Sequence, residues 1–387
     1  MKKFIILVFL LLLTLGNISI NRVSATTLIE NSDDKFNEIL DGLDNEYFTE
    51  ITNFLQSVFN ESKSFKEWVI AFITGNLELN FESLSSYLKG ILSPLKKQLE
   101  GIILSVLACA ILCYISNIIL SKNNDSSEKN TIYFISYTLS VTLISGVIFN
   151  AFTITQNALS EVSKNTEKVF PILFSLSSLI GSFGVQIYKP ISVFISYFTS
   201  KLTTSYFIPL LSLACILSVL GNLSSSVKLK TFYNSITSLY KWSLGIISIL
   251  FTVFIGSQTL VNAQYNGISV RILKYTTGSL VPIVGGFLSG GIDTLLSSAI
   301  LIKNSIGLIF VLFVLLSTVG KALIIVITSF IIKFYSGAVE PIADSKINAL
   351  LISMADVLNL LASLMFVSGY IYFVTVIGFI FSTATVV

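Results

Sequence analysis

Residues 304–332 read NSIGLIFVLFVLLSTVGKALIIVITSFII, an apolar run interrupted by a single ionisable side chain, Lys321. About twenty apolar residues are enough for a helix to cross roughly 30 Å of hydrocarbon. This run is too long for one straight crossing, so it predicts either one tilted membrane helix or two shorter ones. The sequence therefore indicates a chain that lies in a membrane.

Similar apolar blocks recur along residues 101–387. Hydrophobic residues make up 53% of the chain and charged residues only 12%, against about 25% charged in soluble domains, and the mean hydropathy is +0.84. We predict an all-α, polytopic membrane protein with about six to eight transmembrane helices. The candidate spans are 101–120, 131–153, 169–188, 202–222, 242–261, 280–301, 304–332 and 355–383. The amphipathic segment 227–240 is predicted to lie in the membrane interface.

Residues 1–25 have the features of a cleavable signal peptide. Lys2 and Lys3 form a positive start, residues 4–15 form a short apolar core, and residues 23–25 are small. We expect cleavage after Ala25, which would leave the mature N-terminus outside the cytoplasm.

Residues 26–100 are predicted to form an acidic, extracytoplasmic region of amphipathic helices, the head. The region carries thirteen acids and six lysines, whereas residues 101–387 carry eight acids and fifteen lysines or arginines. Apolar residues recur three and four apart from Phe36 to Val58, and Ser64 with Glu67 forms a capping box. A third stripe starts at Asn80. The acidity fits either ordinary solvation or a surface for a basic extracytoplasmic partner.

The lysines of the short loops do not decide the orientation of the chain. If every candidate span crosses once, six lysines or arginines fall inside and five outside. The inside set is Lys122, Lys129, Lys189, Lys201, Arg271 and Lys274, and the outside set is Lys164, Lys168, Lys228, Lys230 and Lys241. The signal peptide is therefore the better indication of orientation.

Two ionisable residues within apolar segments, Asp293 and Lys321, are candidates for a functional role because such residues are costly in hydrocarbon. Either the two residues pair structurally, with Lys321 as the candidate partner of Asp293, or they line a polar pathway or contact a partner protein. Three other lysines are expected to extend to the headgroups: Lys303, Lys333 and Lys346. Asp356 is expected near a helix N-terminus at the interface.

A glycine cluster lies beside Asp293, and it consists of Gly285, Gly286, Gly290 and Gly291. The spacing from Gly286 to Gly290 favours close packing of helices. The same glycines, coming after Pro282, are compatible with a broken helix, which in transporters often forms a binding site near the middle of the membrane. Both interpretations remain open.

Several functions are excluded or disfavoured by residue content. The chain has no histidine, so no site can use imidazole. Cys109, Cys113 and Cys215 lie in apolar segments and are interpreted as core residues rather than metal ligands. No phosphate-binding loop or nucleophile motif is present, and the basic residues are too scattered for nucleic-acid binding. We expect a protein that is not an enzyme and needs no cofactor.

The segments 267–275, 281–285 and 303–307, together with Gly278 and the pair 293–294, carry a resemblance to a known family. In these segments the chain resembles the stage III sporulation protein AE family of endospore-forming bacteria. The resemblance covers nearly the full length, because the signal peptide, acidic head and polytopic body follow the same order.

The resemblance implies a membrane subunit of the channel-like, secretion-like apparatus between mother cell and forespore, which is required for endospore formation and late forespore gene expression. It implies a place in the mother-cell membrane around the forespore and partners among the stage III AA-to-AH proteins, including ring-forming proteins and a cytoplasmic ATPase. The chain would be its permease or export gate. The alternatives are a free-standing small-molecule transporter with a site at 285–293 and a purely structural anchor.

Overall fold

The computed structural model describes residues 41, 47–74, 90, 100, 101, 103–105, 107, 108, 111, 114, 115, 118, 119, 126–179, 184–223, 229–280, 285–340 and 345–384. In the long helices, side chains are described within 133–178, 193–223, 229–257, 298–338 and 345–380. The predicted signal peptide, Cys109, Cys113 and the side chains of the stripe that starts at Asn80 lie outside the described residues.

All regular elements within these residues are helical, which confirms the all-α prediction. The helices are α1 (Thr49–Phe59), α2 (Phe65–Thr74), α3 (Ser126–Leu179), α4 (Gly184–Leu202), α5 (Ile208–Leu223), α6 (Lys230–Leu280), α7 (Gly285–Val339) and α8 (Ser345–Ala384). A π-helical turn, Thr203–Phe207, joins α4 to α5.

Five helical stretches in the described part of the chain are long and apolar enough to cross a membrane. They are Tyr133–Ser178, Val193–Leu223, Lys230–Ser257, Ser298–Ala338 and Ser345–Ile380. The prediction of a polytopic helical membrane protein is therefore confirmed. The predicted span 101–120 falls where only scattered positions are described, so it remains a prediction.

Two predicted spans, 131–153 and 169–188, are wrong as separate helices. Helix α3 continues unbroken through the polar segment between them and into the second span, over 54 residues. At 1.5 Å per residue it is about 81 Å long, far more than the hydrocarbon thickness. The segment from 147 to 170 has no glycine or proline, and its buried residues keep the helical spacing, so nothing interrupts the helix.

The boundaries of α6 and α7 correct two further predictions. The predicted interfacial segment 227–240 continues directly into 242–261 within α6, which starts at Lys230. The predicted spans 280–301 and 304–332 are not separate, because α7 runs from Gly285 to Val339 as one helix. Of the two interpretations of residues 304–332, a single helix is therefore correct.

One end of the bundle is fixed by hydrogen bonds between helix termini. The Tyr133 hydroxyl near the start of α3 lies 3.4 Å from the carbonyl oxygen of Asn222 in the last turn of α5. The Tyr233 hydroxyl at the start of α6 lies 3.5 Å from the carbonyl oxygen of Ser353 in α8. Lys346 lies over the ring of Tyr133. We call this the distal end.

At the opposite end, the head end, α1 and α2 pack on α7, and Glu50 of α1 accepts a hydrogen bond from Asn165 of α3. The ring of Phe54 in α1 contacts Phe313 of α7 edge-on, with 5.1 Å between centroids. Phe174 of α3 contacts Phe379 of α8 in the same way at 5.2 Å. Helices α3, α6 and α8 therefore run from the distal end to the head end, and α4–α5 and α7 run in the opposite direction.

Two hydrophobic cores are stacked along these helices. The distal core contains residues from 137–159 of α3, 207–211, 240–244 of α6, 322–332 of α7 and 347–366 of α8. The head-end core contains residues from α1 and α2 together with 162–176 of α3, 302–316 of α7 and 372–380 of α8. Helices α1 and α2 therefore share a core with the long helices and do not form one of their own.

The head helices are positioned by a capping box and an apolar stripe. The Glu67 amide donates to Ser64 Oγ at 3.3 Å, and the Ser64 amide donates to Glu67 Oε2 at 2.7 Å, as the sequence predicted. The Ser64 amide, and after it the Ser64 hydroxyl, which donates to Glu67 Oε2 at 2.9 Å, hold the pKa of Glu67 below its usual range. The predicted stripe residues Ile51, Leu55 and Val58 are buried.

The prediction for Tyr47 in this stripe is wrong, because its side chain is exposed. The neighbouring Phe48 is buried instead and stacks on Phe65 of α2, with ring centroids 3.9 Å apart. Tyr47 and Phe48 precede α1, so the helical spacing of the stripe does not apply to them.

Helices α7 and α8 approach closely at two glycines that sequence reasoning did not single out. A Cβ atom at Gly369 of α8 would lie 3.0 Å from the Cβ of Thr318, and one at Gly307 of α7 would lie 2.6 Å from Cδ1 of Ile380. Both values are below an ordinary van der Waals contact, so the glycines permit the helix separation that the structure shows.

Candidate functional site: a polar layer between the two cores

An ion pair lies where the two cores meet. Lys321 Nζ of α7 donates to Glu161 Oε2 of α3 at 2.5 Å, and about a third of each side chain is exposed. Glu161 stands between Leu159 of the distal core and Val162 of the head-end core. The pair therefore joins two long helices at the boundary between the cores.

One turn further along α3, a second polar contact reaches the head. The buried Asn165 donates from Nδ2 to Glu50 Oε2 of α1 at 2.6 Å and to the carbonyl oxygen of Glu161 at 2.9 Å. Asn165 thus links the first turn of α1 to the turn of α3 that holds the ion pair. Glu50, Asn165, Glu161 and Lys321 form what we call the polar layer.

The other long helices contribute neutral polar groups near this level. The Tyr372 hydroxyl of α8 lies 3.4 Å from the carbonyl oxygen of Ser196 in α4, and Thr155 Oγ1 lies 3.6 Å from the sulfur of Met365. These contacts tie α8 to α4 and to α3. Of the two contacts, Tyr372–Ser196 lies beside the head-end core, whereas Thr155 lies six residues before Glu161, about 9 Å along α3 toward the distal end.

The predicted pairing of Lys321 with Asp293 is wrong within one chain. Both residues belong to the continuous helix α7, 28 positions apart, which corresponds to about 42 Å along the axis. Lys321 pairs instead with Glu161. The helix separates the two predicted partners because no turn interrupts residues 285–339.

The side chains of the predicted glycine–aspartate segment lie outside the described residues. Its backbone forms the first turns of α7, and residues Gly285, Gly286, Gly290, Gly291 and Asp293 are all helical. Helix α6 ends at Leu280 and α7 begins at Gly285. The roles proposed for these residues stay predictions.

Lys303 does not extend to a headgroup, contrary to the prediction. Its side chain is fully buried in the head-end part of α7, with Nζ 5.9 Å from the ring centre of Phe379. Within the described part of the chain its ammonium has no hydrogen-bond partner. Helices α1 and α2 pack on this stretch of α7. The hydropathy of the neighbouring residues does not predict that contact, because α1 and α2 are distant in sequence.

The remaining predicted ionisable residues lie near the distal end. Lys333 Nζ donates to Asp356 Oδ1 at 2.6 Å between α7 and α8, and both side chains are largely exposed. The prediction that Asp356 lies near a helix N-terminus is wrong, because α8 already starts at Ser345. Cys215 is partly buried, with its thiol 3.6 Å from the sulfur of Met354, which fits the interpretation as a core residue.

The polar layer offers charge and hydrogen bonds but no arrangement for metal binding. Among the residues that the structure describes, no three acidic or cysteine side chains lie close enough to hold an ion. An ion pair bridging two helices, with a neighbouring amide bridging to a third, is suited to holding the head on the bundle. Sequence reasoning missed Glu161 and Asn165 because they lie between the predicted spans 131–153 and 169–188. It missed Glu50 because the contact with Asn165 joins residues 115 positions apart.

Comparison with known proteins identifies the family. The stage III sporulation protein AE family matches residues 63–383, which runs from just before α2 almost to the end of α8. The chain belongs to the stage III sporulation protein AE family. Stage III sporulation protein AE of Bacillus subtilis (strain 168) is 23% identical over 325 residues, covering 81% of this chain and 76% of that protein.

No solved structure matches the chain. Membership of the family gives the chain a role in sporulation, and its apolar helices give it a place in a membrane. The segments in which the sequence resembles the family lie within the matched range. The resemblance found from the sequence is therefore confirmed.

Proposed function

We propose that the chain is a membrane subunit of the channel-like, secretion-like apparatus between mother cell and forespore, acting as its permease or export gate and not as an enzyme. It would lie in the mother-cell membrane around the forespore, with the other stage III AA-to-AH proteins as partners. The proposal is supported chiefly by the extension of the bundle beyond a bilayer's thickness at the end that carries the head.

The bilayer surrounds the distal core in this proposal. Large apolar side chains are exposed around it on several helices, among them Phe149, Trp242 and Phe330, which are 74%, 70% and 66% exposed. Such a belt matches lipid contact. On the outer face of α1 and the turn after it, the surface is instead polar, with exposed Glu50, Asn53, Ser57 and Glu61, which favours water and protein partners.

The direction of the helices supports one orientation, which the lysine count left open. Between the helices at the distal end, the segments 121–125, 224–229 and 340–344 contain Lys122 and Lys228. The segments at the head end, 180–183 and 281–284, contain no lysine or arginine. Positive charge in short loops favours the cytoplasmic side, so the distal end faces the cytoplasm and the head faces away from it.

The same geometry supports six crossings. The five long stretches alternate in direction, and α2 ends at the head end whereas α3 begins at the distal end. The intervening chain must therefore cross the bilayer once more, for which the predicted span 101–120 is suited. In this arrangement Ile380 of α8 and the head lie on the same, extracytoplasmic side, consistent with export of the head by a signal peptide.

The position of Asp293 favours the apparatus over the free-standing transporter. Asp293 precedes Ile302 by nine residues of α7, or about 13 Å, in the direction away from the distal core. A transport site at the repeat interface of a transporter lies near the bilayer midplane. In the proposed placement, residues 285–293 therefore lie outside the part of the bundle that the bilayer surrounds.

The first test is of orientation, with single cysteines in a chain lacking Cys109, Cys113 and Cys215. A cysteine at Asn53, exposed on α1, should react with a membrane-impermeant thiol reagent in intact cells before engulfment. A cysteine at Ser345, exposed at the distal end, should react only after permeabilisation. The opposite labelling pattern would refute the proposed orientation.

The second test is of assembly. Deleting residues 26–100 would uncover the head-end core and could unfold the protein. Substitutions on the outer face of α1 are therefore a more specific test of partner binding. Asn53→Arg with Ser57→Arg should keep normal membrane abundance but reduce co-purification of the other stage III proteins and spore counts. Ser345→Arg is the matched control and should change neither. Undiminished co-purification with the head variant, or substrate transport by the purified chain alone, would contradict the proposal.

A further inference from the structure

An apolar patch lies on the outer surface of α4 and α6 at the level of the head-end core. Its six main side chains are each between 54% and 65% exposed, and they are Val193, Phe194 and Tyr197 of α4 and Ile249, Leu250 and Val253 of α6. Within each helix these residues are one, three and four positions apart, so they share one outward face. We call this surface the lateral patch.

Buried side chains hold the two helices side by side beneath the lateral patch. The ring of Phe198 in α4 lies 5.9 Å from the ring of Phe251 in α6, measured between centroids. Ile195 of α4 is buried together with Phe251 and Ile255 of α6 and with Ile371 of α8. The lateral patch is therefore the outer surface of a packed helix pair, and its two halves are adjacent.

The level of the lateral patch separates it from the part of the bundle that the bilayer surrounds in the proposed placement. Ser196, which lies within the α4 half of the patch, contacts Tyr372 of the head-end core. One turn beyond Tyr197 toward the distal end, on the same face of α4, Lys201 is exposed. A lysine at that level can extend to the headgroups, so in this placement the patch begins where the hydrocarbon ends.

The size of the lateral patch fits a protein interface. At about 150–250 Å² for a large side chain, the exposed fractions of the six residues correspond to roughly 700 Å². The largest apolar patch on a typical soluble monomer measures about 300–600 Å². Each partner of a standard protein interface buries about 800 Å², so the patch is large enough to hold a partner.

We propose that two copies of this chain pair through the lateral patch, with α4 and α6 of one copy against α4 and α6 of the other. None of the six side chains carries a charge, so a twofold axis along the bundle can bring identical faces together without like-charge repulsion. Such an axis also keeps both copies in the same orientation in the membrane. The inference rests on the bilayer placement of the proposed function but not on the apparatus.

Co-purification of two differently tagged full-length copies tests the pairing, in cells that make no other sporulation protein. The wild-type copies should co-purify from solubilised membranes, and light scattering should give the mass of a dimer. Tyr197→Glu with Val253→Glu should weaken dimerisation roughly a hundredfold, because like charges would face one another across an apolar contact. Ser57→Glu, on the exposed outer face of α1, is the matched control and should leave the dimer intact.

A second variant, Val193→Ser with Ile249→Ser, removes apolar area without adding charge. It should weaken dimerisation about tenfold, and an unfolding temperature equal to that of the wild type shows that the fold is kept.

A wild-type monomer, or a dimer that both patch variants retain, would overturn the proposal. A wild-type monomer whose glutamate variant is lost from membranes would instead assign the lateral patch to lipid. A wild-type monomer whose glutamate variant loses another stage III protein in sporulating cells would assign the patch to that protein. Reversed labelling at Asn53 and Ser345 with the dimer intact would fault only the bilayer placement, whereas expected labelling with a monomer would fault only the pairing.

Discussion

Lys321 of α7 donates to Glu161 of α3 at 2.5 Å, at the level where the head-end core gives way to the distal core. Breaking this pair would leave one charge without its partner at the edge of the apolar belt. Both side chains are about one-third exposed, so the loss is less than the roughly 3–5 kcal/mol typical of a buried pair.

For this ion pair we expect Glu161→Gln and Lys321→Met each to lower membrane abundance and thermal stability. The charge reversal Glu161→Lys with Lys321→Glu should restore much of both, because the opposite charges again face each other. Thermal unfolding in detergent and immunoblots of membrane fractions measure the effects. If the reversed pair is no better than its single variants, the two residues are not coupled.

At Gly369 we expect replacement by alanine to destabilise the α7–α8 contact by about 1–3 kcal/mol, the usual cost of overpacking. The added methyl would meet Thr318, so Thr318→Ala should recover part of the loss. Gly256→Ala in α6 is the control, since a Cβ there has open space, and it should be neutral or slightly stabilising. Equal effects at both glycines, by thermal unfolding, would contradict the close approach.

Trp68 anchors the head, because its side chain is fully buried in the head-end core. Trp68→Ala should cost about 3–5 kcal/mol and expose the head to proteolysis, while the distal core stays folded. Limited proteolysis of the purified protein with antibodies to each end reads this out. The control is Asn53→Ala on the exposed face of α1, and similar digestion of the two variants would be incompatible with the packing.

The capping box of α2 predicts a local effect of pH. Ser64→Ala should weaken the start of α2 by about 0.5–2 kcal/mol, seen as faster hydrogen exchange of its amides. The pKa of Glu67 is lowered in the folded state, so the stabilisation is present above its ordinary value of about 4.3 and is lost as the pH falls below it. Ser62→Ala is the control, and α2 protection independent of pH between about 6 and 3 would contradict the cap.

For Lys303 we expect a substitution that stabilises the protein, in contrast to the destabilising substitutions above. A buried ammonium without a hydrogen-bond partner costs free energy, and methionine has a similar length and packs well beside aromatic rings. Lys303→Met should therefore raise the unfolding temperature, whereas Lys303→Ala should lower it by leaving a cavity. Spore counts measured alongside separate function from stability: a stabilised variant that fails to sporulate gives Lys303 a functional role, and destabilisation by methionine would refute the unpaired burial.

Local features of this protein were predictable where neighbouring residues decide them. The capping box needs only Ser64 and Glu67, three positions apart, and the burial of Ile51, Leu55 and Val58 follows from helical spacing on one short helix. The boundaries of the long helices were harder to predict from the sequence. Polar residues within α3 suggest a loop when hydropathy is averaged, although the segment contains no helix breaker and its backbone bonds are made internally.

The sequence by itself determined that the chain is helical, lies in a membrane and belongs to its family, because composition, hydropathy and the 267–307 segment are properties of the chain alone. Only the tertiary structure decided which helices are continuous, that α1 and α2 pack onto α7 and α1 is bonded to α3, and that Lys321 meets Glu161, 160 residues away. Such contacts depend on which faces of distant helices are buried together. Many lysine and carboxylate pairs are compatible with the same sequence, and packing selects one of them.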